Sequence, residues 1–452
     1  MTDSSPRLWR QTPYLLWLTS DTGKGLAMTL FSFAVPLLAL VITNDPAKAG
    51  IIAAVGTVVR LLATLTGGVL ADRHRRIRMM ALGAASGVLV AGAFTAMALA
   101  GGIDFVSLLL FEVLLAGVGG LFSPAGEAAL KDIVPEQMMG RAQAANQGRD
   151  AALQLAGGPI GGMLLAAGGW LIGAAMMAGS LVSAVAAWAL GRRVRWDRAR
   201  VADVKSDAAA SAVPAEPAVP ANGLRELREG VRWLFRRPDL STGTVVATVI
   251  NLGLNAGITT MIYAVLQAGH SEATIGWMMA ASGAAMLVGA LLAPTLVPRI
   301  GAGMLMILGL AACTAAIAGG VFVESPWGVA LLISAAVFLI PALNAAFSGY
   351  LMVATPTELV GRVNSVGGVL SMGAMPLSPL IAGFGLAWAG RSSTLIFSLA
   401  LCAVALIMGL ASRPLRSIPA EAGWAEHAKQ YAPADAPVRV SYGRIHDDEA
   451  AI

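Results

Sequence analysis

Charged residues are scarce in this chain, and their scarcity excludes whole classes of protein. Asp, Glu, Lys and Arg make up 13% of the 452 residues, whereas hydrophobic residues make up 57%, and the mean hydropathy is +0.72. A soluble protein carries about 25% charged residues, so this chain has too few charges to cover a surface that faces water. The composition therefore excludes an ordinary soluble enzyme and an intrinsically disordered chain, and it predicts a protein that crosses a membrane several times.

Cysteine and histidine are also rare. Cys313 and Cys402 are the two cysteines, and both lie in apolar runs, which predicts buried thiols and excludes a disulfide framework or a Cys-rich metal site. The 4 histidines have no metal-ligand spacing, and the sequence contains no phosphate-binding glycine loop and no Ser-His-Asp arrangement. We therefore expect no metal, no cofactor and no enzymatic activity, and ATP-driven transport is disfavoured. The net charge of +5 is too small to indicate a nucleic-acid partner.

Long apolar runs, in contrast, are abundant. A bilayer core needs about 20 mostly apolar residues per helix, and the alternating segments of about 10 residues that a membrane β-barrel requires are absent. The apolar stretches cover residues 14–42, 50–71, 79–99, 105–122, 147–167, 170–190, 242–267, 275–296, 304–323, 327–347, 366–386 and 394–410. The sequence therefore predicts an all-α membrane protein with 12 transmembrane helices.

An internal repeat divides these stretches into two sets of six. Segments 135–147 and 356–368 share Pro, Gly and Arg at a constant offset of 221 residues. The matched pairs are Pro135/Pro356, Gly140/Gly361 and Arg141/Arg362, with further glycine pairs at Gly68/Gly289, Gly162/Gly383 and Gly169/Gly390. A six-helix unit duplicated in parallel explains this offset. We therefore predict a first bundle over residues 1–191 and a second bundle over residues 241–412.

The connection between the bundles differs in composition from both of them. Residues 192–240 are predicted to form a cytoplasmic linker that is basic at its start and rich in Ala and Pro in its middle. Over 224–234, apolar residues recur at helical spacing among arginines, which predicts an amphipathic helix on the inner membrane face. This helix is either an anchor that ties the bundles together or a regulatory, partner-binding element. The tail, residues 413–452, is polar and is predicted to be disordered.

The distribution of cations predicts the orientation. Most of the 31 Lys and Arg lie in the connections on the N-terminal side of the membrane, whereas the opposite connections hold only Lys48 and Arg391. The positive-inside rule places the basic side in the cytoplasm. We therefore expect both termini to be cytoplasmic.

One block carries a specific resemblance. Residues 67–76, GGVLADRHRR, resemble the GxLADRxGRR signature of the major facilitator superfamily, with Arg75 where the signature has Gly. Gly68 allows a helix of the other half to approach closely, Asp72 presents an anion to a helix N-terminus or an arginine, and the arginines hold the loop at the anionic inner leaflet. The resemblance implies two parallel six-helix bundles with a substrate site at the midplane between them.

The same resemblance implies a gate on the cytoplasmic side. In the family, this block closes that side when the transporter opens outward. We expect Asp72 to meet Arg141 or the region that follows Arg362, and we expect two charged residues near the inner end of the fifth stretch to belong to the gate. The gate candidates are Gly68, Asp72, Arg73, Arg76, Arg141, Arg149, Asp150 and Arg362.

A second block resembles a particular branch of that family. Residues 122–162 look like the helix 4–5 region of bacterial exporters of the enterobactin-exporter and multidrug-efflux type, and they contain the GPxxGG core of an antiporter motif. Proline kinks a helix and glycine allows tight packing. The motif residues are Gly158, Pro159, Gly161 and Gly162. The chain departs from the pattern in having Gln154 in place of Gly and Glu112, rather than an arginine, in the fourth stretch.

Ionisable residues at membrane depth are the remaining candidates, because they are costly there and usually functional. They are Asp21, Lys24, Arg60, Glu112, Arg149 and Asp150, all in the first half, whereas the second half offers neutral residues such as Asn251 and Asn255. Asp21 and Lys24 are three residues apart and can pair. The formal charges sum to zero, which allows a fully paired structural network. Alternatively, Asp21 or Glu112 exchanges a proton with substrate.

The sequence thus predicts a secondary active transporter that works by alternating access. The first hypothesis is proton-coupled export of an amphipathic small molecule, such as a drug, a siderophore or a related metabolite, with the cavity formed by Asp21, Lys24, Arg60, Glu112, Asn251 and Asn255. We expect a monomer in the bacterial cytoplasmic membrane whose partners are its substrate, protons and the lipid bilayer. An uptake symporter on the same fold and a non-transporting receptor or scaffold are the alternatives.

Overall fold

The computed structural model describes residues 11–134, 136–205, 223–356, 359, 363, 366–368, 370 and 373–431. These residues are overwhelmingly helical, and no β-strand occurs among them. Ten of the described helical segments are long and apolar enough to cross a membrane. The predicted all-α, multi-pass membrane fold is therefore confirmed, while the count of 12 spans stays a prediction.

Six long helices form the first half. They are α1 (Thr12–Thr43), α2 (Pro46–Arg73), α3 (Arg76–Leu99), α4 (Phe105–Ile133), α5 (Glu136–Ala167) and α6 (Gly169–Lys205). The apolar stretches locate all six, but α4 and α5 extend further toward each other than hydropathy predicts. Asp104 begins α4 with a capping box, in which its carboxylate accepts from the Ser107 N–H at 2.8 Å and the Ser107 hydroxyl accepts from the Asp104 N–H at 2.8 Å.

The second half repeats this plan, and one of its apolar stretches is divided between two helices. Its helices are α8 (Pro238–Gln267), α9 (Glu272–Leu296), α10 (Ala302–Phe322), α11 (Pro326–Phe338), α12 (Ile340–Ala354), α13 (Leu377–Trp388) and α14 (Gly390–Ala411). The tenth apolar stretch is divided between α11 and α12 at Leu339, because Pro341 lacks the N–H that a continuous helix needs. Cys313 and Cys402 are buried free thiols, as predicted.

The two halves pack together where α2 begins and α5 ends, and we call this end of the molecule the closed face. A Cβ on Gly162 would lie 2.5 Å from the Glu272 carbonyl oxygen, and one on Gly158 would lie 2.8 Å from that of Gly276. On the other side of the interface, Gly50 of α2 and Gly383 of α13 contact each other's backbone in the same way. Glycine therefore brings the helices of the two halves into backbone contact.

The opposite end carries the arginines of the α2–α3 connection, and we call it the basic face. A Cβ on Gly68 would meet no atom of the described chain within 4 Å. The close packing described between the halves is at the closed face, and the expected contact of Gly68 with a helix of the other half stays a prediction.

The linker and the tail also differ from the sequence prediction. Helix α6 continues to Lys205, beyond the predicted boundary at residue 191, and α7 (Gly223–Phe235) coincides with the predicted amphipathic helix. The predicted disorder of the tail is wrong for residues 413–431, which form the short helices α15 (Arg413–Arg416) and α16 (Trp424–Gln430). The low mean hydropathy of the tail predicted disorder, but the tail contains a few apolar side chains that are buried against the second half. They include Leu415, Ile418 and Trp424.

Candidate functional site

A cavity of about 470 Å³ lies within the first half, between α1, α2, α4 and α5, and we call it the charged cavity. Its charged lining residues are Asp21, Lys24, Arg60, Glu127, Arg149 and Asp150. Five of these were expected at membrane depth, so the structure brings together residues that are far apart in the sequence.

The ion pair between Asp21 and Arg149 is the central contact of this cavity. The two side chains are 2.7 Å apart and are 22% and 15% exposed, and the same guanidinium contacts Asp150 at 2.8 Å. The expected pairing of Asp21 with Lys24 is wrong: within the described chain, Lys24 forms no ion pair at 4.0 Å or less. The spacing of three residues permits that pair, but the forked guanidinium reaches two carboxylates at once.

The aromatic side chain of Trp17 supports this ion pair from α1. The Arg149 guanidinium lies 5.8 Å from the centre of the indole ring, close enough for a cation–π contact. The Trp17 Nε1–H donates to the Gly126 carbonyl at 2.8 Å, which holds the ring against α4. Arg149 is therefore held by α1 as well as by its own helix, and two of the residues expected to form a gate, Arg149 and Asp150, share one cluster with Asp21.

Glu127 is the residue that sequence reasoning missed. It lies in α4 beyond residue 122, where the apolar stretch ended, although the helix continues to Ile133. With Glu127 included, the ionisable residues in and beside the cavities of the first half number four carboxyl groups and three cations, whereas the six that line the charged cavity number three of each. The sequence could have identified Glu127, because an acidic residue little more than one helical turn beyond an apolar run can still belong to the same helix.

Glu112 occupies a different environment. It is 5% exposed, packs directly against Gly56 of α2, and has no cation within 4.0 Å among the described residues. Arg60 is the cation that acts on it electrostatically, and the Arg60 Nε is itself buried with no hydrogen-bond partner in the described chain. Arg60 also lines the charged cavity, so it connects the cavity to Glu112.

A second cavity, of about 290 Å³, lies between the two halves near the closed face, and we call it the central cavity. Its walls come from α1, α2, α8, α9 and α13 and are mainly apolar. Asn255 and Tyr263 contribute polar groups from α8, and the Asn255 Nδ2 donates to the Asn251 carbonyl at 2.8 Å. Glu112 packs against Gly56, whose neighbour Thr57 lines this cavity, so the isolated carboxyl is near the cavity wall.

The glycines of the helix-5 motif face two neighbours. Gly158 and Gly162 contact α9 of the other half, whereas a Cβ on Gly161 would lie 2.6 Å from the Phe33 ring of α1. Pro159 lies inside α5. Since Phe33 lines the central cavity, the motif determines both the packing of the halves and the shape of the cavity wall.

The structure describes only part of the expected gate. Arg362 and the side chains of Asp72 and Arg141 lie outside the described residues. Arg73 is exposed. Arg76 pairs with Asp132 at 2.8 Å and donates to the Ala128 carbonyl at 3.1 Å, which ties the start of α3 to the end of α4.

Comparison with known proteins agrees with this architecture. The chain is 28% identical over 377 residues to the multidrug efflux pump Tap of Mycolicibacterium fortuitum, an alignment that covers 81% of this chain and 86% of that protein. A crystal structure of a bacterial homologue of the iron transporter ferroportin in the inward-facing state covers 91% of this chain and 100% of its own, with a TM-score of 0.66 at 15% identity. A bacterial homologue of the lysosomal transporter Spinster, inward-facing and unoccupied, covers 91% and 99%, with a TM-score of 0.60 at 15% identity.

The profile that describes the Major Facilitator Superfamily matches residues 23–379, which span most of both halves. This match confirms the resemblance read from the motifs. The chain is a multi-pass membrane protein that belongs to the Major Facilitator Superfamily of transporters.

Proposed function

We propose that this transporter exports amphipathic small molecules in exchange for protons, by alternating access. The observation that carries the proposal is the Asp21–Arg149 ion pair, which links α1 to the helix that packs on the other half. A change in the charge of Asp21 therefore acts on the helix α5, through which the two halves move relative to each other.

The conformation fits the loading step of such a cycle. The halves are packed together at the closed face, and the charged cavity lies in the part of α5 that precedes this packing, toward the basic face. By the positive-inside rule the basic face is cytoplasmic, so we propose that substrate enters from the cytoplasm of a bacterial cell and leaves across the cytoplasmic membrane.

The central cavity fits the proposed class of substrate. Its apolar wall includes Met279 and Met375, flexible side chains that adapt to ligands of different shape. Asn255 and Tyr263 add a few hydrogen-bonding groups on one side. A wall of this kind suits a molecule with a large apolar surface and few polar groups, which is also consistent with the multidrug efflux pump among its relatives.

The proton step involves two carboxyl groups at different depths. A proton that binds Asp21 neutralises the carboxylate and ends its ion pair, while Arg149 keeps its charge and its contact with Asp150. When the proton leaves, Asp21 pairs with Arg149 again. Glu112 is a second proton site, since it is buried near the central cavity without a paired cation in the described chain.

Everted membrane vesicles with an acidified interior test this proposal. We expect such vesicles to accumulate ethidium or a related amphipathic dye, and a protonophore should abolish the accumulation. Asp21→Asn and Glu112→Gln should remove the dependence on the pH gradient. Glu324→Gln is the matched control, because Glu324 is an exposed carboxylate that also faces an arginine, at 3.5 Å, but lies outside both cavities.

Three outcomes would contradict the proposal. Accumulation that ignores the pH gradient would exclude proton coupling, and uptake into right-side-out vesicles or whole cells would indicate a symporter. A single fixed distance between labels at positions 72 and 362, with and without dye, would indicate a protein that does not alternate.

A further inference from the structure

A groove on the basic face of the first half is the strongest unassigned feature. It has a volume of about 740 Å³ and lies between the start of α3 and the end of α6. Arg75, Arg76 and Arg78 line it, together with Trp188. We call it the α3/α6 groove.

The cations of this groove are only partly neutralised. Arg76 is paired with Asp132, but the exposed Arg75 and Arg78 have no ion pair at 4.0 Å or less in the described chain. Arg192 adds a cation above the Trp188 ring, at 4.2 Å. The groove therefore presents unpaired positive charge beside an aromatic side chain of the kind found at membrane interfaces.

An apolar surface continues from the groove along the membrane-facing side of α3 and α6. Leu82 and Leu89 are exposed at a spacing of seven residues on α3, and Leu181, Val185 and Trp188 are exposed at spacings of four and three on α6. Residues at these spacings share one side of a helix. The site thus combines a cationic upper part with an apolar lower part.

The duplicated half shows how the equivalent groove is covered. The third helix of the second half is α10, which begins at Ala302, and there the tail lies over the helix start. The Ala302 N–H donates to the Pro419 carbonyl at 3.0 Å, and the Gly303 N–H donates to the Ile418 carbonyl at 3.1 Å. Oxygen atoms of the tail therefore satisfy the first N–H groups of α10.

No such cover is found among the described residues of the first half. Helix α6 continues to Lys205, and no described residue of the connection caps the first N–H groups of α3 as the tail caps those of α10. Arg75, at the N-cap position of α3, provides no side-chain hydrogen bond to the first turn. The start of α3 is therefore a helix N-terminus flanked by two unpaired arginines, an arrangement that attracts an anion.

We propose that the α3/α6 groove binds an anionic phospholipid, with the phosphate between Arg75 and Arg78 at the start of α3 and the acyl chains along the leucines below. The lipid phosphate meets the first N–H groups of α3, the role that tail carbonyl oxygens have at the start of α10. This site is more specific than a general attraction of basic loops to the inner leaflet, and it does not depend on the direction of transport.

Native mass spectrometry of the full-length protein tests the proposal. With phosphatidylglycerol and phosphatidylcholine of the same acyl chains, we expect one phosphatidylglycerol to be retained preferentially. Arg75→Gln with Arg78→Gln should weaken retention about fivefold for each arginine. The control pair, Arg299→Gln with Arg416→Gln, removes two exposed arginines from the basic face of the second half and should change retention less than twofold.

A photolabelling measurement keeps the test independent of how well the variants fold. Phosphatidylglycerol with a diazirine near the headgroup should label the unmodified protein in the segments 75–82 and 187–192. Labelling confined to the second half would overturn the proposal, as would equal retention of phosphatidylcholine or equal losses in the two arginine pairs.

Two further arms identify other occupants. Soluble glycerol phosphate that displaces the lipid at equal concentration would indicate a site for small anions and overturn the lipid assignment. Deletion of residues 432–452, which include the acidic run 447–449, should leave retention unchanged. A severalfold rise would show that the tail competes with lipid for the groove, and it would overturn the lipid as the occupant in the full-length protein.

Discussion

The two halves of this transporter share one plan and differ in where they place charge. The first half has seven ionisable residues in and beside its cavities, whereas the second half lines the central cavity with uncharged polar and apolar groups, among them Asn255 and Tyr263. The two halves therefore share a backbone plan but differ in the charge of the residues that line their cavities. In the function proposed above, the first half handles the protons and the second half supplies a neutral surface for the substrate.

The second half does contain a buried ionic cluster, but at its basic face and away from both cavities. Arg237 and Asp239 pair at 2.7 Å, the Tyr350 hydroxyl donates to Asp239 at 2.5 Å, and the His427 Nδ1 contacts the Tyr350 oxygen at 2.8 Å. The Arg237 Nη1 also donates to the Ala354 carbonyl at 3.0 Å. These contacts join α8, α12 and α16, so this charge stabilises the attachment of the tail.

Hydrogen-bond roles in this cluster follow from the chemistry of its members. Tyr350 has one proton, which goes to the Asp239 carboxylate, so the His427 Nδ1–H must donate to the tyrosine oxygen. The His427 Nε2 then accepts from the Ser417 hydroxyl at 3.0 Å. A neutral imidazole with its proton on Nδ1 therefore gives a hydrogen-bond partner to Asp239, to the Tyr350 hydroxyl and to both ring nitrogens of His427.

The largest expected effect separates the two halves most sharply. Reversing one charge of the central pair, by Asp21→Arg or Arg149→Asp, should reduce dye transport at least about 100-fold, because it places like charges together at low exposure. The double exchange should restore part of the activity. In the second half, Asn255→Asp should change the selectivity among dyes without abolishing transport. The measurement is the rate of dye transport at equal expression of each variant. Equal losses of transport in all four variants would contradict the proposed difference in role between the two halves.

The next effect concerns the contact that joins the halves. Gly162→Leu introduces a side chain where a Cβ already lies 2.5 Å from a backbone oxygen of α9, so we expect a loss of about 3 kcal/mol of stability. Gly148→Leu, on the same helix, is the control, because a Cβ there meets no described atom within 4 Å. Thermal unfolding in detergent measures the difference. Equal melting temperatures for the two variants would show that α5 does not require close packing on α9.

Part of this arrangement was predictable from the sequence, and the rest depended on tertiary contacts. Hydropathy located the helices and the two short motifs identified the family, because both signals are local. The partner of Asp21 was not predictable, since Lys24 is nearer in sequence and only the packing of α5 on α1 brings Arg149 closer. The folded part of the tail was missed for the same reason. Its few apolar residues predict folding only if the helices that bury them, α10 and α12, are known.

A smaller effect is expected at the attachment of the tail. Tyr350→Phe removes the hydroxyl that connects Asp239 to His427 and leaves a buried acceptor without its partner, which should cost about 2 kcal/mol. Ser417→Ala, which removes only the part-buried bond to the other imidazole nitrogen, should cost less. Limited proteolysis near residue 413 reports on release of the tail. Indistinguishable cleavage of the two variants would mean that the cluster does not hold it.

The smallest effect is a pH dependence that the second half alone should show. Burial lowers the pKa of His427 below its usual value of about 6.5, and Arg237 acts in the same direction while Asp239 opposes both. As pH falls below about 6.5, the unfolded chain binds a proton before the folded chain does, so the tail should become less stable, on a scale of about 1.4 kcal/mol per pKa unit. Above that pH both states are neutral and no dependence remains. Proteolysis at residue 413 should therefore accelerate between pH 6.5 and pH 5 in the unmodified protein and lose this dependence in His427→Gln. An unchanged profile in that variant would assign the titration to a carboxyl group, and the comparison between the halves would then extend to the charge that holds the tail.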